Sequence, residues 1–273
     1  MTRKRSGAKA SSGASAERSA AAGASPRRRP GREPIARAKT PRITLRVRGK
    51  RRELRVDGTY ASAWTPGEIA TRSVWDALAA SVLALEPARR NRVLLLGLGA
   101  GSAARIVRAL APQARIVGVE FDPDVVAAAR RWFELDALRL EVVIGDAREV
   151  VAKQRGRFDL VLEDVFVGRE ATLRKPEGFP LPVLEHAARL LAPGGVLASN
   201  TIDEGPAVRR ALAERFPRVA EIAVAEHDNR IYVAGSGSRV AAAALRRAVA
   251  GDPLLAPTLP RLRFRTRSIR AGS

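Results

Sequence analysis

Residues 93–102 read VLLLGLGAGS, and this stretch decides the fold. Val93 to Leu96 is a solid apolar run, which predicts a strand buried on both faces of a parallel sheet. Gly97, Gly99 and Gly101 then alternate with Leu98 and Ala100. Three glycines let the backbone turn tightly and approach a ligand with no Cβ in the way. From Ser102 to Val107 the apolar residues return at helical spacing. Strand, glycine turn and helix together predict a binding turn of nucleotide type.

The spacing narrows the ligand. A dinucleotide turn runs G-x-G-x-x-G and seats a pyrophosphate on the helix N-terminus. Here the third glycine comes one residue early, and Ser102 stands where the last glycine belongs. The G-x-G-x-G pattern resembles class I S-adenosylmethionine enzymes, whose ligand has no pyrophosphate. Two acids fit that reading. Glu120 closes the run Ile116 to Val119, about twenty residues past the glycines, where an acid accepts both ribose hydroxyls. Asp146 follows the run Val142 to Ile144 and could accept from an adenine amino group; Ala147 beside it is counted among the binding positions. The plainer reading is that acids at strand ends cap the next helix. Asp122 is assigned that role at the head of a helix over 123–134.

Composition agrees with a cytoplasmic enzyme. The chain has 273 residues, enough for one large domain with extensions, and no cysteine, so thiolate chemistry and zinc-thiolate sites are excluded. His186 and His227 are the only histidines, far apart in sequence, which argues against a metal site and a His-based triad. No apolar stretch approaches the roughly 20 residues that span a bilayer. The start, MTRKRSGAKA, has charges but no apolar core and does not read as a secretory signal. Net charge is +21, and all but six of the 49 basic residues are arginine. Residues 1–42 hold 12 basic and 2 acidic residues, lack apolar periodicity, and predict a disordered basic tail. A solvated tail is the plain reading; the alternative is weak, nonspecific contact with nucleic acid or another anion through Arg27, Arg28 and Arg29.

Along the chain, Ile43 to Val47 and Arg52 to Val56 predict an N-terminal β-hairpin region over 43–66, ended by Asp57-Gly58. An apolar stripe at Val74, Leu78, Val82 and Leu85 predicts one helix over 67–86. Trp64 and Trp75 read as packing residues. Strands near 92–97, 115–120, 140–144, 158–163 and 195–200 alternate with helices near 102–111, 123–134, 147–153, 181–191 and 206–215. This alternation predicts an α/β fold with five parallel strands. Two strands at 218–225 and 229–234 are joined too closely for a parallel crossover, so they predict an antiparallel hairpin. A helix over 238–250 follows. The expected domain is Rossmann-like over 67–250, with a loose basic tail over 251–273.

The hairpin ending in Asp57-Gly58, the glycine loop, Val119-Glu120-Phe121-Asp122, Gly145-Asp146-Ala147 and Phe158 to Asp164 together resemble the spermidine synthase family, over roughly residues 43–235. The resemblance implies a methyltransferase-type Rossmann sheet and transfer of an aminopropyl group from decarboxylated S-adenosylmethionine to a diamine. It implies that Glu120 holds ribose, Asp146 the adenine, and that Asp164 receives the amine proton. Position supports Asp164: it ends the fourth parallel strand, beside the crevice where such sheets bind ligands.

The chain departs from the family in places. Ala100 stands where the family's loop carries an aspartate. Val165-Phe166-Val167 replaces Ser-Ser-Asp, the Tyr-His-Glu segment is absent from 67–80, and a glutamine is replaced near Ala61. A dicationic diamine needs carboxylates in exchange for its water. Yet loop 168–180 carries a net +1, and only Asp203 and Glu204 nearby offer compensation. The acceptor is therefore expected to be a small molecule other than putrescine. Three functions stay open: a spermidine synthase-like transferase using S-adenosylmethionine or its decarboxylated form, a small-molecule methyltransferase, and a non-catalytic adenosyl-ligand or partner binder. A homodimer stays open in each.

Overall fold

In the computed structural model the described residues are 42–169, 172–177 and 179–266. Of the predicted basic tail, residues 1–41 lie outside them. Arg42 is in place: it pairs with Asp122, and its carbonyl accepts from the Asp57 amide at 2.7 Å.

The N-terminal element has one strand more than the hairpin expected. Strands β1 (Ile43–Arg48), β2 (Arg51–Val56) and β3 (Thr59–Trp64) form an antiparallel meander. Asp57 and Gly58 do not end it. Both have positive φ, +50° and +82°, and they turn β2 into β3.

The segment expected as one helix over 67–86 is mostly something else. Helix α1 covers only Val74–Ala79, followed by a 3₁₀ turn at Ala80–Ala84. A fully buried carboxylate fixes the irregular stretch before it. Asp76 accepts from the Thr71 amide at 2.7 Å, the Thr71 hydroxyl at 2.6 Å, the Arg72 amide at 3.0 Å and the Thr258 hydroxyl at 2.6 Å. Those amides are therefore satisfied without a helix.

The main sheet follows the sequence closely. Strands β4 (Arg92–Leu96), β5 (Arg115–Glu120), β6 (Glu141–Ile144), β7 (Phe158–Glu163) and β8 (Leu191–Thr201) are parallel. Helices α2 (Ser102–Leu110), α3 (Pro123–Phe133), α4 (Ala147–Lys153), α5 (Leu181–Arg189) and α6 (Gly205–Arg215) alternate with them. Strands β9 (Arg218–Val224) and β10 (Arg230–Gly235) form the expected antiparallel hairpin, and α7 (Ala242–Gly251) comes after.

One terminal expectation fails. Residues 251–266 are not a loose tail: Leu255 and Thr258 are buried, Ala256–Arg261 forms a 3₁₀ turn, and β11 (Leu262–Thr266) pairs antiparallel with β9 and extends the sheet to eight strands, in the order β11-β9-β10-β8-β7-β4-β5-β6. Residues 267–273 lie outside the described part.

Both faces of the sheet are covered. Val93 and Leu95 of β4 join one apolar cluster, with Ile116, Leu160 and Leu162. Leu94 and Leu96 join the other, with Val117, Val119 and Val161. Each such side chain contributes about 1.5–3 kcal/mol by leaving water. That two-sided burial is why β4 is written without a polar residue after Arg92.

Candidate active site

The carboxyl ends of β4, β5, β6 and β7 bring Gly97, Glu120, Gly145 and Asp164 to one cleft of about 550 Å³. Tyr60 and Ala61 of β3 and Trp75 of α1 form another wall.

Gly97 begins the turn out of β4 at φ +87°. A Cβ there would stand 2.4 Å from the Asp164 carbonyl oxygen. Glycine is therefore demanded first by the chain's own approach to β7, not by a ligand. A Cβ on Gly99 would stand 2.7 Å from Ser62 Oγ, and one on Gly101 2.9 Å from Leu135. Gly97 and Gly99 border the cleft; Gly101 faces the core at the head of α2 and does not.

Two hydroxyls tie β3 to this turn. Ser62 Oγ accepts from the Ala100 amide at 2.8 Å, and Ser102 Oγ bonds both the amide and carbonyl of Ala63 at 2.9 Å. Ala100 is buried and presents no group to the cleft.

Glu120 braces the glycine turn. Its Oε2 accepts from the Gly99 amide at 2.8 Å and its Oε1 from the Asp122 amide at 3.2 Å. Burial pushes its carboxyl above the usual range, against those two amides. Asp122 caps α3 as expected, accepting from the Asp124 amide at 2.9 Å. The Arg42 guanidinium holds Asp122 below the ordinary carboxylate range.

Asp146 lies at the cleft but is busy. It caps α4 through the Arg148 amide at 2.8 Å, and the Arg148 guanidinium spans both its oxygens, the shortest contact being 2.6 Å. That guanidinium lowers its pKa. Ala147 borders the cleft beside it, and Phe121, 74 % exposed, stands on the rim.

Asp164 is the most perturbed acid of the cleft. Burial pushes its carboxyl up to about 6, opposed by the Lys175 charge and an Asn200 hydrogen bond. Asn200 Nδ2 donates to Asp164 Oδ1 at 2.7 Å, and Asn200 Oδ1 accepts from Asn229 at 2.9 Å. This amide chain fixes the carboxyl within the cleft.

Sequence reading missed the group behind it. Lys175 is buried and pairs with the buried Glu163 at 2.7 Å, while Ser199 donates to the other Glu163 oxygen at 2.6 Å. Lys175 Nζ also stands 3.9 Å over the Phe166 ring. The compensation expected of Asp203 and Glu204 is absent. Asp203 is exposed, Glu204 accepts from the Lys175 and Ile202 amides at 2.9 and 3.2 Å, and neither borders the cleft.

Trp64 packs as expected, with the Arg105 and Arg52 guanidinium groups 4.3 and 5.2 Å from its ring centroid. Trp75 packs too, yet also borders the cleft. Among the described residues, no group of three or more His, Asp or Glu is placed to hold a metal ion. No helix among them is long and apolar enough to cross a membrane.

Comparison with known proteins agrees with this geometry. Residues 93–195 match the family model described as "Methyltransferase domain". A fruit-fly (Drosophila melanogaster) protein named eEF1A lysine and N-terminal methyltransferase homolog is 30% identical over 200 residues, covering 69% of this chain and 29% of that one. The polyamine aminopropyltransferase of Chromobacterium violaceum is 33% identical over 147 residues, 51% of this chain and 54% of that one. Among solved structures, a probable spermidine synthase from Corynebacterium glutamicum matches with a TM-score of 0.65 and 25% identity, covering 82% of this chain and 87% of that one. The chain thus spans under a third of the first relative's length and about half of the second's. Sheet order, glycine turn and matches define a class I S-adenosylmethionine-dependent methyltransferase fold. Within that fold the chain is similar to a polyamine aminopropyltransferase and to a probable spermidine synthase.

Proposed function

We propose that the cleft binds an S-adenosyl ligand and that the protein is a transferase acting on an acceptor other than putrescine. The observation that carries this is the placement of two different carboxyls in one cleft: Glu120 tied to the glycine turn, and Asp164 raised to about 6.

The residues fit the ligand. An ionised carboxylate has about four acceptor sites. Glu120 uses two on the Gly99 and Asp122 amides, which leaves two for ribose hydroxyls. Asp146 fits adenine once Arg148, an exposed side chain, turns aside. Bound there, S-adenosylmethionine or its decarboxylated form supplies a carbon made electrophilic by its sulfonium. As the acceptor's nucleophile attacks that carbon, the carbon–sulfur bond breaks and sulfur leaves as a neutral thioether, and Asp164 accepts the proton that the nucleophile loses. Asn200 keeps the carboxyl turned to the cleft meanwhile.

The charges disfavour a diamine. Among the described residues the cleft holds five acids, but Asp122 and Asp146 are paired with arginines and Glu120 is bound to backbone. Asp57 and Asp164 are left for a dication, and Asp57 is exposed. Methyl transfer is the second reading, favoured by the uncharged Ala100. Intact S-adenosylmethionine brings its own carboxylate and has no use for another at that position.

Titration calorimetry with both forms of the ligand tests the proposal. Intact S-adenosylmethionine should bind at least as tightly as the decarboxylated form; a clear preference for the latter restores the aminopropyl reading. Hydrogen bonds to charged groups are worth about 1.5–3 kcal/mol each, so Glu120→Ala should weaken binding about tenfold or more. Unchanged affinity would remove Glu120 from the site.

A further inference from the structure

A second recess of about 520 Å³ adjoins the cleft, and the two share Tyr60 and His227. Five of its eleven lining residues are arginines, against Glu53 and Glu68 as the acids. Arginine is common throughout this chain, so the use of each guanidinium matters more than its presence. Many serve backbone carbonyls: Arg90 holds Leu85 and Leu110, Arg108 holds Leu138 and Ala114, and in the recess itself Arg55 donates to the Gly58 carbonyl at 2.8 Å and Arg72 reaches the Pro257 carbonyl at 3.5 Å. In the recess, Arg51 is near Glu53 at 3.4 Å and Arg261 pairs with Glu226 at 2.6 Å. Arg48 and Arg72 pair with no carboxylate among the described residues.

Arg72 is held in place at a cost. Its φ is +57°, a left-handed conformation that a residue with a Cβ rarely adopts. Buried Asp76 enforces it through the Thr71 and Arg72 amides, as described above. On the other wall, Arg51 donates to the Tyr60 hydroxyl at 2.6 Å, and the Tyr60 ring meets Trp75 edge-on at 5.2 Å. Tyr60 therefore connects the arginines to the wall of the transfer cleft. Burial, and then the Arg261 charge, lower the His227 pKa, so this shared corner adds no cation at neutral pH.

We propose that this recess binds an anionic oxyacid group, a carboxylate or a phosphate, at the far end of the acceptor. The proposal rests on the cleft being the transfer site. Planar guanidinium groups meet such oxygens in bidentate pairs, and Arg48 and Arg72, which no carboxylate among the described residues neutralises, attract the anion and repel a polyamine. An acceptor anchored there extends past Tyr60 and presents its nucleophile toward Asp164.

Calorimetric titration of the full chain with inorganic phosphate, citrate and spermidine tests this. S-adenosylhomocysteine is titrated separately. Phosphate or citrate should bind, which also separates the two anion chemistries, and spermidine should not compete. Arg48→Ala with Arg72→Ala should weaken that anion about tenfold or more. Arg246→Ala with Arg247→Ala, exposed on α7, removes the same charge and should leave affinity unchanged. Thermal melts confirm that each variant folds. Equal losses in both pairs, no loss in the recess pair, or competition by spermidine would overturn the proposal. Failure of S-adenosylhomocysteine to bind would instead overturn the cofactor reading, and leaves the anion result to be read alone.

Discussion

Asp164→Asn should lower turnover about 10²–10⁴-fold while affinity for the adenosyl ligand barely changes. Asparagine keeps the shape, and its carbonyl oxygen still accepts from Asn200. Only the proton acceptor is lost. In the parent, the rate should rise as pH passes about 6, because the carboxyl works only when ionised. The variant should lack that rise. Stability gives an independent readout with a definite sign. The folded carboxyl sits near 6 against an ordinary 3.8, so between those values the native state binds more protons than the unfolded one. Native stability therefore falls as pH rises through that window. Asp164→Asn removes the fall, and at pH 7 the variant should be more stable than the parent in urea denaturation. Full activity in Asp164→Asn would take the base role away from this residue. Neither Asp203 nor Glu204 could inherit it, since neither borders the cleft.

Much of this architecture was legible in the sequence because burial on both faces leaves a plain trace. Val93 to Leu96 and Phe158 to Leu162 read as strands for that reason, and the acids that end or follow them fell where crevices form. The errors share a different origin. Asp57-Gly58 reads as the end of a hairpin, yet Asp-Gly is itself a two-residue hairpin turn. The third strand, TYASAW, was then missed because small residues hide its alternation. In LRFRT at 262–266 the alternation is present, with Leu262 and Phe264 against Arg263 and Arg265. Arginine abundance masked it as a loose tail. Over 67–73 the helical stripe misled, because the Asp76 side chain supplies the partners that a helix would have given those amides.

The site was readable at strand ends and unreadable where it depends on a loop folding back. Glu120 and Asp164 announce themselves by position. Lys175 does not, since it lies in a stretch whose formal charge looks solvated. Three contacts draw that stretch inward. Val167 and Arg174 exchange backbone hydrogen bonds at 2.8 and 3.0 Å, the Thr59 hydroxyl donates to the Gly168 carbonyl at 3.2 Å, and the Lys175 amide donates to Glu204 at 2.9 Å. Each partner lies on another element or across the loop, which local pattern cannot supply. The acid that receives Lys175 had a faint signal: Glu163 sits between Leu162 and Asp164 at the end of a strand otherwise buried, so it needed a partner.

That buried pair carries the largest stability effect expected here. Lys175→Met keeps the bulk of the side chain and removes the charge. Glu163, fully buried, is left with the Ser199 hydroxyl at 2.6 Å and the Val165 amide at 2.9 Å. Removing one partner of a buried ion pair costs about 3–5 kcal/mol, because the other charge stays uncompensated. Urea denaturation at pH 7 should show a loss of that size, a large part of the 5–15 kcal/mol that typically holds a domain. Adding Glu163→Gln should recover most of it, since the uncompensated charge is then gone. A single variant as stable as the parent would mean that the pair contributes nothing. The change also reaches the cleft. The Lys175 charge lowers the Asp164 pKa, so in Lys175→Met that carboxyl should titrate higher and the pH-rate profile should move to higher pH. A purely structural lysine would cost stability and leave the profile where it was.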